Sequence, residues 1–250
     1  MFTLFKKHTQ VGVCHHDQNI GIWEPNFWNL ALEAINGNRQ PFEERFRESH
    51  PFLSWPSTYT EAEVFALWDH ILEVLGPVVF DKSPQYINAY DTLELIWKYH
   101  DLRDNVKFFG LIRDPKDAIT SQWTKWAGSV PDDSPKSREQ KWLKRYGNLN
   151  RFKTERAVQM PILKYEDLVE HPETNLSFLM NYLGINFEKE TIDHLKNVNS
   201  GRFYQSNDPD IRKWRFGEDF KQHLVNFGYS TRERNGLKDF IKTMSKAFRG

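Results

Sequence analysis

Thiols are almost missing from this chain: Cys14 is the one cysteine in 250 residues. That excludes an intrachain disulfide and leaves too few thiolates for a cysteine-rich zinc or iron–sulfur centre. A surplus of charge of either sign is missing too, since 34 Lys+Arg balance 34 Asp+Glu. A nucleic-acid binder usually carries a basic excess, and a disordered acidic chain lacks the 39% hydrophobic and 15% aromatic content found here. No apolar run reaches the roughly 18 residues of a membrane span, and the start Met1 to His8 is too short and polar for a signal peptide. Repeats at a fixed period and long low-complexity segments are absent as well. What remains is the composition of a single packed domain over residues 1–250, with a lean toward a reducing, cytoplasmic compartment.

Strand-like and helix-like patterns alternate along the chain, which predicts an α/β fold with a parallel sheet covered by helices. Four β-rich runs stand out, over residues 10–14, 78–81, 106–112 and 161–165. The last three are nearly continuous apolar runs ending in polar residues, as in strands buried on both faces whose carboxyl ends meet a ligand crevice. Amphipathic helices are predicted over 27–35, 62–75, 93–99, 118–126, 175–183 and 191–198, with a basic C-terminal helix over 231–248. Residues 128–135 hold two prolines among turn formers and read as a surface loop.

Three places concentrate chemistry. In Ile112-Arg113-Asp114-Pro115-Lys116-Asp117, a strand delivers Arg113 to its end, Asp114 suits the helix N-cap and Pro115 the first helical position. Arg113 then offers a planar fork to a phosphate, and Ser121, about two turns into the helix, a hydroxyl to the same anion. The bland alternative is an arginine paired with Asp114 or Asp117 at an ordinary junction. In Asp81-Lys82-Ser83-Pro84, a second strand ends in a cation, so that Lys82 is either a mobile charge near a developing anion or a plain surface lysine. In Trp23-Glu24-Pro25-Asn26-Phe27-Trp28, a carboxyl sits among aromatics, where Glu24 is either a base with a raised pKa or a solvent-facing acid at a helix entry.

Taken in order, these segments resemble the sulfotransferases that use 3'-phosphoadenosine 5'-phosphosulfate (PAPS), most closely the carbohydrate-modifying branch. Arg113-Asp114-Pro115 with Ser121 is similar to that family's 3'-phosphate-binding element. Lys164-Tyr165-Glu166-Asp167-Leu168 with Pro172 and Tyr182-Leu183-Gly184 is similar to its later "YEDL…P…LG" segment. Trp23 to Trp28 resembles the element whose Glu acts as general base, and Asp81 to Tyr86 the "KSPxY" element lining the transfer site. Asp210 to Arg215 occupies the place of the late basic loop, without its glycine pattern. The resemblance implies a three-layer αβα sheet like that of P-loop nucleotide-binding folds, and transfer of a sulfuryl group from PAPS to a hydroxyl or amine, with a carbohydrate acceptor favoured. It implies Glu24 and Lys82 as catalytic groups, Arg113, Ser121 and Arg212 as donor ligands, and no metal. The family's glycine-rich 5'-phosphosulfate loop and its first strand have no counterpart in these residues, so the expectation is either a truncated sequence or a non-catalytic nucleotide- or glycan-binding module. An upstream Golgi anchor would move the protein to that lumen. A kinase-like transferase ranks last, because a Walker lysine and its Mg²⁺-binding hydroxyl are missing.

The remaining candidates read mostly as structure. Cys14-His15-His16-Asp17 cannot place all its side chains on one metal, because neighbours on an extended segment point to opposite faces. The sequon Asn175-Leu176-Ser177 falls in a helix where Leu176 and Phe178 are expected to pack inward, against glycosylation. Lys141, Lys144 and Arg145 share a helix face after the proline-rich loop and either meet an anionic saccharide or are solvated. Trp123, Trp126 and Trp142 flank that loop as core anchors or as sugar-stacking rings.

Overall fold

A computed structural model of the chain describes residues 5, 8–13, 26–47, 55–128, 132–196 and 202–233. Its elements run β1 (Gly12–Val13), α1 (Phe27–Ile35), α2 (Gln40–Arg47), α3 (Glu61–Leu75), β2 (Val79–Phe80), α4 (Tyr90–Asp101), β3 (Gly110–Ile112), α5 (Pro115–Trp126) and α6 (Pro135–Glu155). They continue with β4 (Ile162–Lys164), α7 (Tyr165–Glu170), α8 (Pro172–Leu183), α9 (Arg202–Gln205), α10 (Pro209–Lys213) and α11 (Glu218–Asn226). Short 3₁₀ turns cover Tyr86–Asn88 and Lys189–Lys196. The fold is mixed α/β, rich in helix, with small parallel ladders. The chain divides into two compact units: Met1–Phe108 with Asn148–Met160 and His171–Lys196, and Phe109–Gly147 with Pro161–Glu170 and Asn197–Gly250.

In the first unit β1 and β2 pair in parallel, Gly12 opposite Val79 and Val13 opposite Phe80. Gly12 is required there. A Cβ on it would stand 2.1 Å from the carbonyl oxygen of Leu75 at the end of α3, inside any tolerable contact. Gly12→Ala is therefore expected to lower the denaturant midpoint, by an overpacking cost of about 1–3 kcal/mol; a midpoint unchanged from the parent chain would show the strand shifting freely. The core beside this ladder is aromatic. Phe27 and Trp28 of α1 meet Phe42, Phe46, Trp68 and Tyr99 with ring centroids 4.4 to 5.4 Å apart, mostly edge-on or tilted. Ring pairs of this kind add to the burial of large apolar area. A capping box opens α3: Thr60 Oγ1 accepts from Glu63 N at 3.3 Å while the Glu63 carboxylate accepts from Thr60 N at 2.7 Å.

In the second unit β3 and β4 pair in parallel from Gly110 opposite Ile162 to Ile112 opposite Lys164. One apolar cluster holds it together, built on Ile112, Ile119, Trp123, Trp142, Phe203, Ile211, Trp214 and Phe220. Buried Glu139 on α6 ties the cluster's rim, accepting from Trp214 Nε1 at 2.8 Å and from Gly217 N at 3.1 Å. A buried carboxylate persists only where donors surround it, and these supply that need.

The strands are shorter than the apolar runs suggested, two or three residues each among the described residues. Val106 to Phe109 lie outside any ladder, and Leu111, expected to be buried, is 37% exposed while its neighbour Ile112 is buried. β3 thus alternates like a strand covered on one face. The helices begin earlier than the apolar periodicity, at Pro115 and Pro172, because a proline fits the first turn without an N–H. Phe178 is a correction. It is 54% exposed on α8 although Leu176 is buried, since residues two apart lie about 200° apart round a helix. The expected strand end at Cys14, the Cys14 to Asp17 segment and the C-terminal helix beyond residue 233 lie outside the described residues. Thr231, Arg232 and Glu233 are not helical.

Candidate active site

The junction between β3 and α5 is where sequence and geometry meet. β3 ends at Ile112, locked in the apolar cluster, so that Arg113 and Asp114 emerge at the strand's carboxyl end. Asp114 caps α5, its Oδ1 accepting from Lys116 N at 2.9 Å, with Pro115 at the first helical position. The Asp114 N–H donates in turn to Glu166 Oε1 at 2.9 Å, joining this junction to the start of α7 beyond β4. Arg113 is partly buried, its guanidinium 5.2 Å from the ring centroid of Tyr165. At that distance the ring face attracts the guanidinium as a cation–π partner.

Carboxylates near the junction are already engaged. The Asp114 side chain lies 3.5 Å from Lys116 Nζ, and burial pushes its pKa up despite that cation. Asp117 Oδ1 accepts from Phe203 N at 2.8 Å. Glu166 Oε2 accepts from Tyr229 OH at 2.9 Å, and burial beside this carboxylate pushes the Tyr229 phenol up, so that it stays a donor. Lys116 is 1% exposed, and its ammonium donates to Ser230 O at 2.5 Å and lies 5.5 Å from the Tyr204 ring. Residues 229–230 are thus tied to the ends of both strands.

Ser121 is partly exposed on the second turn of α5. Arg212 is partly exposed on α10, whose cap is Asp208 and whose Ile211 lies in the same apolar cluster as Ile112 and Ile119. The neighbours of Arg113, Ser121 and Arg212 in sequence therefore build one core, and these three belong to the second unit. Lys82 belongs to the first. It follows β2, partly buried, between Asp81 and the buried hydroxyl residue Ser83. Ser83 Oγ accepts from Gln85 N at 3.2 Å, which folds the Ser-Pro turn back on itself. Glu24 lies outside the described residues; Asn26 and α1, which follow it, are described.

Asp81 carries a signal that the motif alone did not single out. Tyr86 OH donates to its carboxylate at 3.0 Å, Trp28 donates as well, and burial still pushes its pKa to about 7 against the Lys82 charge. With 3.8 in the unfolded chain, the native carboxyl holds its proton over the interval between those values, and stability falls as pH rises through it. Asp81→Asn is therefore expected to flatten the loss of thermal stability expected of the parent chain between about pH 4 and pH 7. Parallel melting profiles for the two proteins would mean the carboxyl is ionised throughout.

Lys116, Tyr229 and Ser230 were not foreseen as parts of this junction. Lys116 sits in a helix's first turn, where sequence suggests exposure, and Tyr229 and Ser230 belong to no motif. Glu166 was visible only within its segment. No cluster of three or more His, Cys, Asp or Glu suited to a metal occurs among the described residues, and no helix there is long and apolar enough to cross a membrane.

Comparison with known proteins adds three findings. The profile of the sulfotransferase family matches residues 24–189. The sulfotransferase domain from the curacin biosynthetic pathway superposes with a TM-score of 0.59 at 16% identity, over 92% of this chain and 93% of that one. The sulfotransferase domain from the Synechococcus PCC 7002 olefin synthase gives 0.52 at 19% identity, over 92% and 82%. No curated protein matches in sequence.

Proposed function

The chain belongs to the sulfotransferase family, and from that premise we propose that it transfers a sulfuryl group from PAPS to an acceptor hydroxyl, with a carbohydrate as the acceptor. The supporting observation is the β3–α5 junction, where the Arg113 guanidinium, 5.2 Å from the Tyr165 ring centre, stands at a strand end whose Asp114 is already occupied as a helix cap. An arginine beside a helix N-terminus suits a phosphate dianion in charge and in shape.

In this reading Arg113 and Ser121 hold the 3'-phosphate, with Arg212 as a further phosphate contact, and so fix the donor's position. Glu24 accepts the proton of the acceptor hydroxyl as that oxygen bonds to sulfur. The bond from sulfur to the bridging oxygen breaks, and its electron pair leaves with adenosine 3',5'-bisphosphate. Lys82 stabilises the charge that grows on the departing oxygens. The fixed cations carry the electrostatic work, and the reaction needs a nucleotide donor and a hydroxyl acceptor.

The test is incubation with ³⁵S-labelled PAPS and a panel of neutral and acidic sugars, phenols and steroids. Label is expected in a sugar product. Label confined to phenols or steroids would reassign the acceptor, and neither label transfer nor binding of adenosine 3',5'-bisphosphate would remove the donor assignment.

A further inference from the structure

In the first unit, Lys82 stands on a short loop whose base is closed by side chains. β2 ends at Phe80, which is buried and paired with Val13, so the backbone enters the loop at a fixed place. Asp81 follows, and Tyr86 OH, five residues on, donates back to both of its carboxylate oxygens, at 3.2 and 3.0 Å. Between them Pro84 locks one φ angle. Ser83 Oγ accepts from Gln85 N at 3.2 Å, and Tyr86 N donates to Ser83 O at 3.3 Å. Residues 81–86 thus form a closed turn with Lys82 at its start.

Asp81 gathers more than this one bond. The Lys82 N–H donates to the same carboxylate, and so does the Trp28 indole. A carboxylate offers about four acceptor positions on its two oxygens, so it can hold all these donors at once. They come from the start of the loop, from its end, and from the first turn of α1. Two of them belong to core rings. Tyr86 is buried, and Trp28 is buried against Trp68 and Tyr99, with ring centroids 5.4 and 5.2 Å away. The packing of the core is thereby passed to the backbone nitrogen of Lys82. Its ammonium lies at the end of a flexible four-carbon stem, which returns to one place only when its root is fixed. That matters for transfer, because a misplacement of about 1 Å can cost about 10²-fold in rate.

We propose that Asp81 is a positioning residue for Lys82, holding the loop that carries this cation where charge grows on the departing oxygens. The role of Lys82 rests on the sulfuryl-transfer reading, whereas the hold of Asp81 on the loop rests on the hydrogen bonds alone.

The test uses Asp81→Asn and Tyr86→Phe in the full chain at pH 8, above the Asp81 pKa of about 7. The first variant keeps the side chain's shape but turns one acceptor oxygen into a donor, and the second removes only a hydroxyl. Each is measured for kcat and KM in ³⁵S transfer from PAPS, for affinity toward adenosine 3',5'-bisphosphate, and for the rate at which acetic anhydride labels each lysine, read by mass spectrometry. Both variants are expected to lower kcat about tenfold or more, with KM for PAPS and nucleotide affinity kept within about twofold. Labelling of Lys82 is expected to rise several-fold while Lys98 and Lys107 of the same unit keep their parent rates. A merely structural bond would raise all three lysines together, and that outcome overturns the proposal. Lys82 labelling unchanged in both variants, or altered with kcat unchanged, overturns it as well. A parent chain that neither transfers label nor binds the nucleotide would remove the sulfuryl-transfer reading instead, and the Lys82 labelling would still decide whether Asp81 holds the loop.

Discussion

Arg113→Ala is expected to weaken binding of adenosine 3',5'-bisphosphate by about 10²-fold or more in calorimetry, the loss of two charge-assisted hydrogen bonds to one phosphate. The size follows from where the guanidinium sits. It follows a strand whose last residue, Ile112, is 1% exposed, and lies 5.2 Å from the Tyr165 ring centre. Arg113→Lys is expected to recover little, because an ammonium cannot present two parallel donors to one phosphate. The fold is expected to survive both changes, since the apolar cluster beneath does not include Arg113. Nucleotide binding that persists unchanged in Arg113→Ala would remove the 3'-phosphate assignment.

The second large effect concerns Glu24. Glu24→Gln is expected to lower the rate of sulfuryl transfer by about 10²–10⁴-fold, the usual contribution of a positioned base, with nucleotide affinity kept within about twofold. The amide keeps the shape of the side chain but accepts no proton. Binding and turnover therefore separate the two roles open to this acid. A parallel fall in nucleotide affinity would mark Glu24 as a structural acid of the segment leading to α1, and an unchanged rate would mark it as a bystander.

The β3–α5 junction was legible because each of its residues has a narrow positional meaning. An apolar run, then arginine, then Asp-Pro, predicts a strand, a cap and a first helical turn, and all three are found. The helix over 27–35 was legible for a related reason: its apolar residues recur at helical spacing and four of them are buried. Strand lengths were not. Val106 to Phe109 have strand composition, but which part of an apolar run joins a ladder depends on the partner strand, and β4 offers three residues. The extent of α6 was hidden by its polarity, although Ser134 and Ser137, each accepting from the other's N–H at 3.0 Å, form a start signal present in the sequence.

The proposed donor site was marked in the sequence in part. Arg113 and Ser121 were singled out by their spacing and by the family resemblance, whereas the buried Lys116 and its bond to Ser230 depend on a contact 114 positions away that no local pattern encodes. The same holds for Tyr229, which reaches Glu166 across 63 positions. Asp81 shows the converse. Its place before Lys82 was plain, but its proton affinity depends on Tyr86 and Trp28 closing over it, which only the packing reveals. Arg138 stood out in no motif, and in the fold it is the clamp that binds Asp133.

A crystal of the chain soaked with adenosine 3',5'-bisphosphate measures the grip on the nucleotide most directly. The 3'-phosphate is predicted within hydrogen-bond distance of both the Arg113 guanidinium and the Ser121 hydroxyl. Nucleotide density elsewhere, or Arg113 turned onto Asp114 or Asp117 with the nucleotide bound, would contradict the account.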